Sequence, residues 1–137
     1  MRTLKIQGLL VAAAVMAACS TEPASPLLEG TWGGPNMRAE FSEQGARFEF
    51  TCADGTVDGP IEVANGVFDA PGNYYFAVGP VGNPPPQPAR FVGTVGGSLL
   101  TVTVILTDQG TSAGEFVGWR GNKGTVLQCP IVAPAGL

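Results

Sequence analysis

Turn-forming residues interrupt this chain at short intervals and so decide what it can fold into. The 137 residues include 20 glycines and 12 prolines, and after Gly34 no stretch of more than ten residues lacks a Gly, Pro, Asn or Asp. Such residues commonly bound strands of about four to eight residues, whereas a helix needs about ten or more without interruption. The spacing therefore predicts an all-β domain of short antiparallel strands with little helix.

The segment NMRAEFSEQGARFEFTC carries the clearest hairpin pattern. A turn at residues 42–45 places Glu40 opposite Arg47. The same turn places Arg38 opposite Glu49, so that two pairs of opposite charge share one face and the other face is apolar. A slip of one residue would destroy both patterns, and the register is therefore well specified.

A second group of strands is predicted nearer the C-terminus. A turn at Gly96-Gly97 suits a two-residue hairpin and sets Phe91 opposite Val102. Beyond the predicted loop DQGTSAG, the strand EFVGWR brings Phe116 opposite Leu106. The turn GNKG then leads into a last predicted strand, TVLQC.

The middle of the chain contains four turn signals in close succession. They are Asp54-Gly55, Asp58-Gly59, Asn65-Gly66 and Pro71-Gly72, and Asn65-Gly66 is the strongest hairpin signal among them. The proline-rich stretch GPVGNPPPQPA follows as a predicted exposed loop, because prolines donate no hydrogen bond to a sheet. In total about eight or nine strands between residues 30 and 129 predict a small antiparallel meander. It would form a closed or partly open barrel or, alternatively, a two-sheet β-sandwich.

The first eighteen residues have the pattern of a signal peptide. Arg2 and Lys5 precede an apolar run from Gly8 to Ala18 that is too short to span a bilayer permanently. Because Ala17 and Ala18 stand directly before Cys19, the stretch resembles a bacterial lipoprotein lipobox, with Met16 where that family usually has leucine.

The lipobox resemblance implies that Cys19 becomes an acylated N-terminus and anchors the protein in a membrane. Residues 19–29 then form a tether, residues 30–129 the domain and residues 130–137 a short tail. The implied location is a bacterial cell envelope, and Ser20 permits the outer membrane in a species with two membranes.

The two remaining cysteines are predicted to pair with each other. Alternation places Cys52 beside Phe50 and Cys129 beside Leu127, each on an inward face, and an oxidising compartment favours a disulfide between them. A metal site is the competing interpretation. No histidine is present to complete a tetrahedral zinc site, so no metal and no cofactor is expected.

Two further resemblances bear on fold. The segments GTWGG and GWRG are similar to lipocalin-like barrels, in which a tryptophan on the first strand packs near an arginine from the last; this maps onto Gly30, Trp32 and Arg120. The succession GTWGG, CADGTVDGPI, NGVFDAPGNY and a final Cys resembles a family of small bacterial lipoproteins or secreted β proteins of no known activity. That second resemblance implies a fold and a disulfide only.

Composition and residue types argue against an enzyme. Without histidine, every Ser-His or Cys-His nucleophile system is excluded. After removal of Arg2 and Lys5 the chain has five basic against eleven acidic residues, a net charge of −6, which makes nucleic acid a poor partner. The best candidate contact surface combines the tyrosines with the proline loop: Tyr74, Tyr75, Pro84, Pro85 and Pro86.

Three functions remain open at this point. The first is a non-enzymatic, lipid-anchored envelope protein that has a structural role or binds a protein or glycan. The second is an inhibitor of a protease or lysozyme built on a small β-barrel. The third is a barrel that encloses a small apolar ligand, although large apolar side chains at alternate positions would fill an eight-stranded barrel.

Overall fold

A computed structural model of the chain describes residues 26–76, 85–127 and 129. The predicted signal peptide, Cys19, most of the tether, Pro84 and the tail at 130–137 lie outside these described residues.

Eight antiparallel strands form a closed barrel in simple sequential order. They are β1 (Gly30–Gly34), β2 (Met37–Ser42), β3 (Gly45–Phe50), β4 (Ala53–Asp58), β5 (Val67–Phe76), β6 (Gln87–Gly96), β7 (Leu99–Leu106) and β8 (Thr111–Arg120). Pairing of Trp32 with Arg120 and of Gly33 with Trp119 closes the barrel between β1 and β8. The prediction of an all-β barrel is confirmed, and the sandwich alternative is excluded. No helix among the described residues has the length and apolar character needed to cross a bilayer.

The β2–β3 hairpin has the predicted register. Glu40 pairs with Arg47 and Arg38 pairs with Glu49, on the outer face. The alternate residues are buried, as the pattern of β2 shows from Met37 onward. Two constraints, charge pairing outside and apolar packing inside, agree on this one register.

The β6–β7 hairpin differs from the prediction by two residues. Its turn is at Gly97-Ser98, so Gly96 pairs with Leu99 and Phe91 pairs with Val104. Gly97 adopts a φ of 60°, which suits the first central position of a type II′ turn. A shift of two residues preserves the side of every residue, so the predicted inward set is unchanged.

The predicted pairing of β7 with β8 is wrong, because β8 starts earlier than expected. Thr111–Gly114, assigned to a loop from sequence, belongs to the strand, and Phe116 consequently faces Val102 instead of Leu106. An irregularity at Val104/Ile105 accommodates one extra residue in β8. The last predicted strand is absent from the described residues: Thr125 forms only an isolated bridge to Pro35.

Two predicted turns in the middle of the chain lie inside strands. Asp54-Gly55 is in β4, where Asp54 pairs with Tyr75, and Pro71-Gly72 is in β5. Of the expected hairpin at Asn65-Gly66, the turn itself forms, with positive φ at both residues. The residues before this turn, 61–64, form only isolated bridges instead of a strand, because β5 pairs with β4 and β6.

Prolines enter strands where a backbone donor is not needed. Pro71 lies in the part of β5 that has no β4 partner, since that pairing ends at Thr56 and Asn73. Pro88, predicted to be in the loop, is the second residue of β6, one residue beyond the last β7 pair at Ala89. Each proline is paired on one side only, Pro71 with Arg90 and Pro88 with Asn73, which agrees with the restriction of proline to places where a strand lacks one neighbour.

The barrel has two distinct ends. At the tether end β1 begins at Gly30, and the turns at residues 43–44 and 97–98 connect strands. At the opposite, disulfide end lie the β3–β4 turn at residues 51–52 and the β7–β8 turn at residues 107–110.

Candidate functional site

The barrel interior is filled by the protein's own aromatic rings. Phe48 stacks on Phe91 with ring centroids 4.6 Å apart and meets Phe41 edge-on at 5.4 Å. A Cβ atom at Gly55 would lie 2.7 Å from the Phe91 ring, so this ring occupies the space that a side chain would take. All buried side chains in the described part of the chain are apolar, apart from Tyr74 with its hydroxyl. The interior is therefore a packed core.

The tether end is closed by Trp32. Its side chain is fully buried, and its indole nitrogen donates a hydrogen bond to the Glu29 carbonyl at 3.0 Å. The Arg120 guanidinium lies over the ring, 4.5 Å from the centroid, in a cation–π arrangement. This is the contact expected from the lipocalin-like motif, and it gives Trp32 a structural role at the barrel end.

Replacing Arg120 with alanine is expected to lower the free energy of unfolding by about 0.5–2 kcal/mol, because the cation–π contact and the cover over Trp32 are both lost. Arg120→Met is the matched control, since it keeps the apolar stem without the charge. Urea unfolding measures both variants. Equal stability of Arg120→Met and the unmodified protein would show that packing of the stem accounts for the contact.

Near Trp32, the N-terminal segment packs against the chain that connects β4 to β5. The Leu28 amide donates to the Ile61 carbonyl at 2.8 Å, and the Val63 amide donates to the Pro26 carbonyl at 3.0 Å. Leu28 and Ile61 are both buried. The chain that follows Cys19 therefore arrives at the tether end and is fixed there from Pro26 onward.

The predicted disulfide is confirmed, but not the orientation from which it was inferred. Cys52 and Cys129 are bonded, with Cα atoms 4.9 Å apart. β3 ends at Phe50, so Cys52 lies in the following turn, half-buried, with a φ of 67°. Cys129 is also half-buried, and Leu127 is exposed instead of inward. The bridge thus lies at the barrel end, outside the core.

Hydrogen bonds hold the C-terminal segment beside this bridge. The Thr51 hydroxyl donates to the Asn36 side-chain oxygen at 2.9 Å and accepts from the Leu127 amide at 3.2 Å. The Asn36 amide donates to the Thr125 carbonyl at 2.8 Å. The disulfide end is therefore a constrained surface with fixed polar groups.

Tyr74 is not part of an exposed contact surface, which corrects the sequence prediction. It points into the barrel, 96% buried, with its ring 6.1 Å from Phe50 and 4.8 Å from Phe76. Desolvation by burial raises the pKa of its hydroxyl. Tyr75, on the opposite face of the same strand, is half-exposed.

Phe76 belongs to the candidate surface, although sequence reasoning missed it. It has the same strand parity as Tyr74, but it is the last residue of β5 and keeps 38% of its surface exposed. The last β5–β6 pair is Tyr74 with Gln87. Tyr75 and Phe76 follow this pair in β5, and the exposed Pro85 and Pro86 directly precede Gln87. We call Tyr75, Phe76, Pro85 and Pro86 the aromatic rim.

The charged outer face of β2 and β3 has the features of a solvated ion-pair surface. Arg38 bonds Glu49 at 3.0 Å and donates from Nε to the Lys123 carbonyl at 2.6 Å. More than a third of each partner's side chain in this ion pair is exposed. Ion pairs with this exposure contribute about 0–1 kcal/mol, and the arrangement ties the returning chain at Lys123 to the barrel wall.

Asp54 and Asp58, each part of a predicted Asp-Gly turn, lie in a strand. Asp54 and Asp58 are exposed on β4, and Asp69 on β5 is ion-paired with Arg90. No three acidic or cysteine residues in the described ranges come together as a metal-binding group.

The chain matches no protein-family model, no curated protein and no solved structure.

Proposed function

We propose that this protein is a non-enzymatic lipoprotein of a bacterial cell envelope. Acyl chains on Cys19 anchor it in a membrane, the outer one where the species has two. The aromatic rim at the disulfide end binds an envelope protein or glycan.

One observation carries this proposal: the chain from Cys19 reaches the barrel at the end opposite the aromatic rim. Pro26 is hydrogen-bonded to Val63 at the tether end, whereas Phe76 ends β5 at the disulfide end. An acylated Cys19 would therefore leave the rim facing away from the membrane. Aromatic and proline side chains have few rotatable bonds and therefore lose little conformational entropy on binding.

The ligand-binding alternative requires internal volume. The stacked Phe48 and Phe91 rings, and the close approach of Phe91 to Gly55, occupy the centre of the barrel. For the inhibitor alternative no observation on the described residues adds support, so the binding role at the rim is the one we propose.

The anchoring part of the proposal is tested by mass spectrometry of the protein purified from bacterial membranes. We expect an N-terminal peptide that begins at Cys19 and carries acyl chains. Cys19→Ala is expected to leave the signal peptide uncleaved and to abolish acylation. An unmodified Cys19 thiol would contradict the proposal.

The binding part is tested with Phe76→Ala, which removes the exposed ring at the end of β5. Because aromatic residues at the centre of an interface commonly contribute 2 kcal/mol or more, we expect capture of the partner to weaken by about tenfold or more. The measurement is affinity capture of envelope proteins and, separately, of purified wall glycan on the detergent-solubilised protein. Val67→Ala, exposed at the tether end, is the control. Equal capture by both variants would reject the rim as the binding surface.

A further inference from the structure

Exposed apolar side chains gather at the tether end on the side formed by β5 to β8. Val67 begins β5, Leu99 begins β7 and Trp119 is the last but one residue of β8, and they keep 50%, 40% and 44% of their surface exposed. We call these three residues the apolar patch.

Leu99 and Trp119 form the centre of the patch. They are direct partners in the β7–β8 register. Their other neighbours across the sheet are glycines, Gly96 beside Leu99 and Gly33 beside Trp119. Because these glycines have no side chains, the indole and the leucine stay uncovered on the outer face.

The row of residues next to this pair is also uncharged. Across the outer sheet it runs Val67, Thr94, Thr101 and Val117, each paired with the next. The Thr94 and Thr101 hydroxyls hydrogen-bond to each other, which lowers the free-energy cost of removing them from water.

Charges begin one row further toward the disulfide end. That row contains Asp69 and Glu115, and the row beyond it contains Arg90. Alternate residues on one face of a strand are about 7 Å apart. The outer face therefore changes from uncharged to charged within about 7 Å of the row that contains Val67 and Val117.

The length of chain outside the structure indicates what covers the patch. Residues 20–25 separate Cys19 from Pro26, and seven residue steps span at most about 25 Å. Since Pro26 is bonded to the tether end, acyl chains on Cys19 would hold that end within this distance of the bilayer.

We propose that the apolar patch lies in the headgroup region of the membrane in which Cys19 is anchored, so that the barrel sits on the bilayer by its β5–β8 side. This inference rests on the proposed acylation of Cys19. Tryptophan favours this region because its ring is apolar and its N–H can meet water. Of the acidic residues at this end, Glu43 follows β2 and Asp58 ends β4, both on the other side of the barrel. Glu29, before β1, and Glu62, between β4 and β5, are exposed outside the β5–β8 strands.

The test uses the full acylated protein in phosphatidylcholine vesicles whose lipids carry bromine near the headgroup end of one acyl chain. Bromine quenches tryptophan fluorescence at short range. We expect the unmodified protein to lose at least half of its Trp119 fluorescence relative to vesicles without bromine. Trp119→Phe, which leaves only the fully buried Trp32, should show no more than a small residual loss.

Two serine variants separate insertion at the patch from general proximity to the bilayer. Leu99→Ser is expected to reduce the quenching of Trp119 at least twofold, whereas Leu127→Ser, exposed beside the disulfide, should not change it. An acylated protein whose quenching is absent, or identical in the two variants, would overturn the patch as a membrane contact while leaving the anchor intact. An unmodified Cys19 in the same sample would instead overturn the anchor and, with it, this inference.

Discussion

Replacing both Cys52 and Cys129 with serine is expected to lower the free energy of unfolding by about 4–5 kcal/mol. The bond joins residues 77 apart in sequence, and loop-closure entropy in the unfolded chain gives roughly this value for a loop of that length. Guanidinium unfolding monitored by circular dichroism measures the change. The loss is a large share of the stability of a domain of this size.

Three controls separate the cross-link from other effects of the substitutions. The reduced unmodified protein should be as unstable as the double variant, and Cys52→Ser alone should match both. Cys19→Ala should leave stability unchanged, because Cys19 is not in this bond. A reduced protein that unfolds at the same denaturant concentration as the oxidised one would contradict the expectation.

The fold shows why this bond matters for the barrel. β1 and β8 are paired through only two residue pairs, and beyond them β1 is covered by the returning chain, where the Thr125 amide donates to the Gly34 carbonyl at 3.0 Å. The disulfide fixes the end of that returning chain to the β3–β4 turn. It therefore supports the seam at which the barrel closes.

The sequence predicts register well where two independent patterns coincide. In the β2–β3 hairpin, charge pairs such as Arg38 with Glu49 and the alternation of apolar residues allow one register only. At Gly96 and Gly97 glycine is the only signal for the turn, and either residue can take part in it. Parity was therefore correct while the register was two residues off.

Glycines inside strands explain the two turns that were predicted within β4 and β5. Gly55 follows an aspartate and has the sequence of a turn, but it is in β4 because the Phe91 ring needs the space in front of it. Gly72, in β5, has the same relation to the Phe91 ring, which would lie 2.9 Å from an added Cβ. These contacts join residues distant in sequence, so no local pattern reveals them.

The candidate site was predictable to the extent that strand parity decides it. Parity correctly requires that Tyr74 and Tyr75 lie on opposite faces, but it does not say which of them is inside. Phe76 was missed because its exposure depends on where β5 ends. The Trp32–Arg120 contact was expected from a motif, and the clustering of Leu99 and Trp119 required the β7–β8 register.

Replacing Phe91 with alanine is expected to lower the free energy of unfolding by about 3–5 kcal/mol, since the substitution removes a fully buried ring and leaves a cavity. The ring stacks on Phe48 and covers both Gly55 and Gly72, and these backbone contacts do not collapse easily. Guanidinium unfolding gives the size of the loss. Phe76→Ala, at the exposed end of β5, is the matched control and should change stability far less.

Phe91→Ala also provides a positive control in a test for an internal ligand. A dry cavity lined by apolar side chains binds small apolar molecules such as benzene or xenon. We expect benzene to raise the melting temperature of Phe91→Ala and to leave that of the unmodified protein unchanged, because its interior is already occupied by Phe48, Phe91 and their neighbours. Stabilisation of the unmodified protein to the same degree would show that the barrel holds free internal volume, and a ligand-binding function would then take precedence over the one proposed above.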